Sequence, residues 1–161
     1  MEDIAREVLE QEPSSAAVTD RGMAEPPGVV RKYAQKAMAV SIPLFEIGFK
    51  GEPAPKGEGL RQRLLAGLVC DVLFSASAPL YSRLYEQGLI NGSFDSGFDM
   101  LPGCAFLTAG GESRDPQKVL DEVLKEAERL GREGIDPALW DRLKKASYGV
   151  MVRQLNSLEG M

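Results

Sequence analysis

Tyr81, Arg83, Tyr85 and Asn91 bring two phenols, a guanidinium and an amide into one short stretch of the chain. Such groups recognise carbonyls and carboxylates. A guanidinium donates in a planar fork, while a phenol or an amide both donates and accepts. These four residues are the substrate-binding candidates of the sequence. A second reading stands beside that one: Tyr81 and Tyr85, one helical turn apart, form a packing pair while Arg83 points to solvent.

Other chemistry is excluded by composition. The chain has no histidine, so it holds no serine–histidine–acid triad and no cysteine–histidine pair. Its two cysteines, Cys70 and Cys104, lie far apart, and neither belongs to a cluster of metal donors. Cys70 sits in the apolar run Leu68-Val-Cys-Asp-Val-Leu-Phe74 and reads as a small buried hydrophobe. Asp95 and Asp99 alternate with Phe94 and Phe98 and read as the solvated face of a strand. Gly110-Gly-Glu-Ser lacks the lysine of a phosphate loop and reads as a turn. Arg142, Lys144 and Lys145 read as a solvated helix face. The expectation is therefore no catalytic residue and no metal or cofactor site within this chain.

The whole chain has 161 residues, 43% hydrophobic and 27% charged, with a formal net charge of −5. That is the balance of a soluble globular domain with one core. The acidic balance argues against nucleic acid, which needs a basic patch. No uninterrupted apolar run has the length of a membrane span. The charged start, Met1-Glu-Asp-Ile-Ala-Arg, lacks the pattern of a secretory signal, so a cytoplasmic setting is expected.

The elements that must position the candidates follow from periodicity. Ile4, Val8 and Leu9 predict a short helix near the start. Residues 13–28, rich in Pro, Ser, Ala and Gly, then read as a linker. Residues 29–50 predict extended structure: Met38, Val40, Ile42 and Leu44 alternate in one phase, Phe45, Ile47 and Phe49 in the other. Pro43 stands at the phase change, which predicts one long bent strand or two successive strands. Leu60, Leu64, Leu65, Leu68, Val69, Val72 and Leu73 predict a mostly buried helix. The small residues of 75–79 break it, and a second helix over about 79–87 ends at Gly88.

Residues 93–100 and 103–109 predict a hairpin. Asp115-Pro and Asp136-Pro each open a helix, with Asp as the cap and Pro at the first helical position. Val119, Leu120, Val123, Leu124, Ala127 and Leu130 form the expected buried stripe of the first. Leu139, Trp140, Leu143, Ala146, Val150 and Met151 form that of the second. The class is α+β: an antiparallel sheet packed on one side by helices, in the order β-α-α-β-β-α-α. The domain division is 1–28, helix and linker, then 29–161.

Two phrases, Ser41-Ile-Pro-Leu-Phe-Glu-Ile-Gly-Phe-Lys-Gly51 and Ser77-Ala-Pro-Leu-Tyr-Ser-Arg-Leu-Tyr-Glu-Gln-Gly-Leu-Ile-Asn-Gly-Ser-Phe94, carry a resemblance. The tail adds Asp115-Pro, Gly134-Ile-Asp-Pro137, Lys144 and Arg153-Gln-Leu-Asn-Ser157. Together they resemble the C-terminal domain of insulinase-like (pitrilysin-type) zinc metallopeptidases, of the bacterial kind similar to mitochondrial processing peptidase. The resemblance covers residues 29–158.

The resemblance implies an α+β domain of a peptidase whose zinc is held elsewhere, by a His-x-x-Glu-His motif in an upstream or partner domain. A later domain or partner subunit of the family contributes an arginine and a tyrosine from a phrase like Arg-Glu-x-x-Gly-Leu-Ala-Tyr. Here the matching phrase is Leu84-Tyr-Glu-Gln-Gly-Leu-Ile-Asn91, with Leu84 at the arginine position and Asn91 at the tyrosine position. Arg83 is one residue out of register. The departure is similar to the zinc-bearing kind of chain, whose own C-terminal domain lacks the pair.

The implied partners are a catalytic domain of the same polypeptide or a homologous subunit, and a peptide substrate, with no nucleic acid or membrane. The implied role is to shape a peptide-binding chamber without cleaving alone. A non-catalytic scaffold or interaction subunit of the same fold is the alternative.

Overall fold

The ladder starts where the chain first regains a backbone N–H. Pro43 has none, and its carbonyl accepts from the Ser113 amide at 3.0 Å. Strand β1, Leu44–Gly51, begins at the next residue. The computed structural model describes residues 28–55, 57–101 and 103–156. The helix expected near residues 2–11 and nearly all of the linker expected over 13–28 lie outside them.

After β1 come helix α1, Gly59–Phe74, and helix α2, Pro79–Glu86. A hairpin follows, β2, Asp95–Leu101, and β3, Cys104–Glu112. Helices α3, Pro116–Glu133, and α4, Pro137–Gln154, complete the order. The sheet is antiparallel with strand order β1-β3-β2. The expected α+β class and element order hold.

Register decides which side of the sheet is dry. Ile47 stands opposite Ala109 and Phe49 opposite Leu107, while Ser96 and Phe98 flank the same two β3 residues. These positions share the face under the helices. Glu46, Asp95 and Asp99 lie on the other face and are exposed, as their alternation predicted. Cys70, Leu73 and Phe74 of α1, Leu80 and Leu84 of α2, and Val119 and Val123 of α3 close the main core over Phe94 and Ala109. A smaller core joins Val72 of α1 to Leu139 and Leu143 of α4.

Five expectations need correction. Residues 29–43 form no strand; Val30, Tyr33 and Met38 are exposed, because only β1 finds a ladder partner in β3. Gly110 and Gly111 lie inside β3 rather than in a turn. A Cβ at Gly110 would sit 2.6 Å from the Phe45 carbonyl oxygen, and one at Gly111 would sit 2.9 Å from Phe94 Cα. The two glycines let β3 pass between its neighbours at close quarters.

Helix α1 is buried only in its last turns. Leu60, Leu64, Leu65 and Val69 stay exposed because no element among the described residues covers their side of the helix. The stripe of α3 runs through Val119, Val123 and Glu126, leaving Leu124 and Ala127 exposed. On α4 only Leu139 and Leu143 are buried and Trp140 is half-buried; Ala146, Val150 and Met151 are exposed, since the smaller core ends at Leu143.

The stretch Gly59–Glu86 has the length and mean hydropathy of a membrane span. It breaks between α1 and α2, and it supplies much of the core, which gives a core helix pair the same composition.

Candidate functional site

Helix α2 carries three of the four candidates, and its ends are locally determined. Ala78 enters in extended conformation and Pro79 takes the first helical position, where a missing N–H costs nothing. Gly88 closes the helix at φ +65. Its amide donates to the Tyr85 carbonyl and the Leu89 amide donates to the Leu84 carbonyl, both at 2.9 Å. Leu84 and Leu89 are both buried, the apolar contact that goes with this cap.

From that helix the candidates diverge. Tyr81 and Tyr85 stack with ring centroids 6.1 Å apart and planes 11° apart, and Tyr81 also meets Phe94 at 6.1 Å. They form the packing pair. Arg83 is part exposed, as the second reading expected, but it is not free in solvent: its Nη2 donates to Glu126 Oε2 of α3 at 2.7 Å. Asn91 secures the loop before β2. Its Nδ2 donates to Glu112 Oε2 at 2.7 Å, and its Oδ1 accepts from the Ser93 amide at 2.8 Å and the Ser93 hydroxyl at 2.6 Å. The Glu112 amide in turn donates to Ser93 Oγ at 3.2 Å.

The residue that the sequence reading passed over is Glu126. It is 4% exposed, among the apolar residues of the α3 stripe. Arg129 donates to its other oxygen at 2.7 Å and also to Glu133 at 3.0 Å. The bond from Arg129, with that from Arg83, holds the Glu126 carboxyl below its ordinary range against the opposing effect of burial. The spacing of Glu126, Arg129 and Glu133 signals helical ion pairs. Nothing local signals the burial, because that depends on α2 lying alongside.

The Cys70 thiol is raised by burial, opposed by a long contact to Ser96 Oγ at 3.5 Å. Among the described residues no three Cys, Asp or Glu side chains converge as metal donors. A cleft of about 150 Å³ between α1, α3 and α4 meets Glu126, Arg129, Asp136 and Arg142. Two acids and two bases leave it with no net charge to select a ligand. This arrangement orients helices and presents surface.

A family model described as the Peptidase M16 inactive domain matches residues 1–147. The uncharacterized zinc protease YmfH of Bacillus subtilis (strain 168) is 30% identical over 141 residues, covering 84% of this chain and 32% of that protein. Among solved structures, an M16-like peptidase from Alicyclobacillus acidocaldarius superposes with a TM-score of 0.71 at 20% identity. That match covers 75% of this chain and 29% of the other, and it shows the fold. The chain therefore spans about a third of the length of these relatives.

Proposed function

The chain belongs to the M16, insulinase-like, peptidase family as its inactive domain, and we propose that it walls the peptide-binding chamber of a zinc-dependent metalloendopeptidase. The observation that carries this reading is the inactive-domain match on a chain with no histidine in its 161 residues. Zinc ligation in these enzymes rests on a His-x-x-Glu-His motif. The metal and the general base then belong to another domain or a partner subunit.

The sheet supports a role beside an extended peptide. Strand β1 is an outer strand, paired to β3 along one side only among the described residues. An outer strand offers main-chain donors and acceptors to a peptide laid along it. Tyr81, Arg83, Tyr85 and Asn91 enter this reading as residues that shape α2 and the following loop.

The test starts with the native polypeptide, detected in cell extract with an antibody against this chain and then purified. A mass more than twice 17.5 kDa is expected, with peptide cleavage that a zinc chelator abolishes. The 161-residue chain alone should not cleave. Chelator-sensitive cleavage by the pure chain would sink the proposal. A native mass of 17.5 kDa with no cleavage would put the scaffold reading in its place.

A further inference from the structure

Asn91 is followed by Gly92 and Ser93, and the fold sets these three residues up for a reaction between the first two. Asn91 Oδ1 accepts from the Ser93 amide at 2.8 Å and from the Ser93 hydroxyl at 2.6 Å, which folds the side-chain amide back over the Gly92 peptide. Its Nδ2 donates to Glu112 Oε2 at 2.7 Å, so the amide is held at both ends. The Phe94 amide closes the turn by donating to the Asn91 carbonyl at 3.1 Å. Between these fixed groups, the Gly92 amide has no hydrogen-bond acceptor among the described residues. Gly92 is exposed, and nothing lies within 4 Å of where a Cβ would stand. An unengaged amide nitrogen, with no side chain to hinder it, thus sits next to a carbonyl carbon whose oxygen already holds two donors.

We propose that Asn91 is a site of spontaneous deamidation that the fold promotes, and that the modification undoes the clasp between Asn91 and Glu112. The Gly92 nitrogen gives its proton to water and bonds to Asn91 Cγ. The charge that develops on Oδ1 is met by the two Ser93 donors, as in an oxyanion hole. The Cγ–Nδ2 bond then breaks, the departing nitrogen takes a proton from water, and ammonia leaves behind a five-membered succinimide. Water opens that ring at either carbonyl, giving aspartate or isoaspartate; Gly92 and Ser93 are exposed, so water reaches it.

The aspartate product sets a carboxylate oxygen against Glu112 Oε2 where an N–H donor stood, and two like charges at that distance repel. Isoaspartate lengthens the main chain by one carbon and breaks the turn to Phe94. Glu112 ends β3 opposite Leu44, the first residue of β1. Both products therefore loosen the loop after α2 from the end of the sheet where β1 begins.

The test is peptide mapping by mass spectrometry of the native polypeptide, kept at mildly alkaline pH either folded or in urea. Asn91 should gain the mass of hydroxyl over amine at least as fast folded as unfolded. Ser93→Ala should slow that gain on the order of tenfold in the folded protein. Asn156, the chain's other asparagine, precedes serine and should react more slowly. Protection of Asn91 in the folded protein, faster reaction at Asn156, or a wild-type rate in folded Ser93→Ala would each overturn the proposal. Asn91→Asp reads the consequence directly: its thermal midpoint should fall by about 3 °C. Adding Glu112→Gln should restore the midpoint, because the new amide donates to the carboxylate. An unchanged midpoint in Asn91→Asp, or no recovery in the double variant, would overturn the loss of the clasp. Both readouts are independent of peptide cleavage.

Discussion

Arg83 of α2 and Glu126 of α3 are 43 positions apart in the chain and 2.7 Å apart in space. Their ion pair is the polar link between two helices that otherwise meet through Leu80, Leu84, Val119 and Val123. Glu126 is the charged side chain that the core buries among the described residues. Both of its arginine partners keep about two fifths of their side chains exposed. The link is therefore asymmetric: the acid depends on the bases far more than they depend on it.

That asymmetry predicts unequal mutational costs. Arg83→Ala leaves the buried Glu126 Oε2 without its donor and should cost about 1–3 kcal/mol. Glu126→Ala removes the buried charge itself and frees two arginines that water can reach, so it should cost less, about 1 kcal/mol. Urea unfolding measures both. If Arg83→Ala unfolds at the wild-type midpoint, the pair holds nothing together.

The same carboxyl sets a pH dependence. Its folded pKa lies below the ordinary 4.5, chiefly through the bond from Arg129 and then that from Arg83. Stability from a depressed acid is present above the unfolded value and is lost as pH falls through the folded one. The gap in unfolding free energy between wild type and Glu126→Gln should therefore be constant from neutral pH to about 5 and shrink below that.

Asp71 works with the opposite sign, since burial raises it. Its contribution is present below its unfolded pKa and is lost as pH rises through the folded one. Asp71→Asn should accordingly raise the thermal midpoint at pH 7, where wild type holds a partly desolvated charge. A lower midpoint at that pH would show that the carboxylate has a stabilising role there.

The two kinds of glycine in the sheet should respond differently to a methyl group. Gly110→Ala forces a Cβ against the Phe45 carbonyl and should cost about 1–3 kcal/mol. Gly48→Ala meets nothing within 4 Å and should be neutral or slightly stabilising, because alanine loses less backbone entropy on folding. Equal denaturation midpoints for the two variants would rule out the close approach at Gly110.

Thiol titration separates the cysteines. Cys104 is half-buried, while Cys70 is 4% exposed and its thiol is raised by burial. A disulfide reagent at neutral pH should modify Cys104 promptly and Cys70 only when denaturant is added. Two equally fast phases in the native protein would contradict the buried position of Cys70.

Local rules read from the sequence held where one element settles the matter. The Asp136 carboxylate caps α4 by accepting from the Leu139 amide at 3.0 Å, and that of Asp115 caps α3 by accepting from the Lys118 amide at 3.1 Å. Gly88 ends α2, and the 94–100 alternation faces Asp95 and Asp99 to water. For the candidate site, the Tyr81–Tyr85 stack followed from helical spacing. The partners of Arg83 and Asn91 did not, because Glu126 and Glu112 arrive from other elements.

By itself the sequence determined the element order, the helix caps, the absence of histidine chemistry and the family resemblance. These depend on residue identity and on spacing within a few turns. Only the tertiary structure decided that Gly110 and Gly111 belong to a strand, that Glu126 is buried, and that Leu64 and Leu65 of α1 and Val150 and Met151 of α4 stay exposed among the described residues. An apolar period states that a face can be buried. Whether it is buried depends on which other element reaches it, and that contact is written in no single segment of the chain.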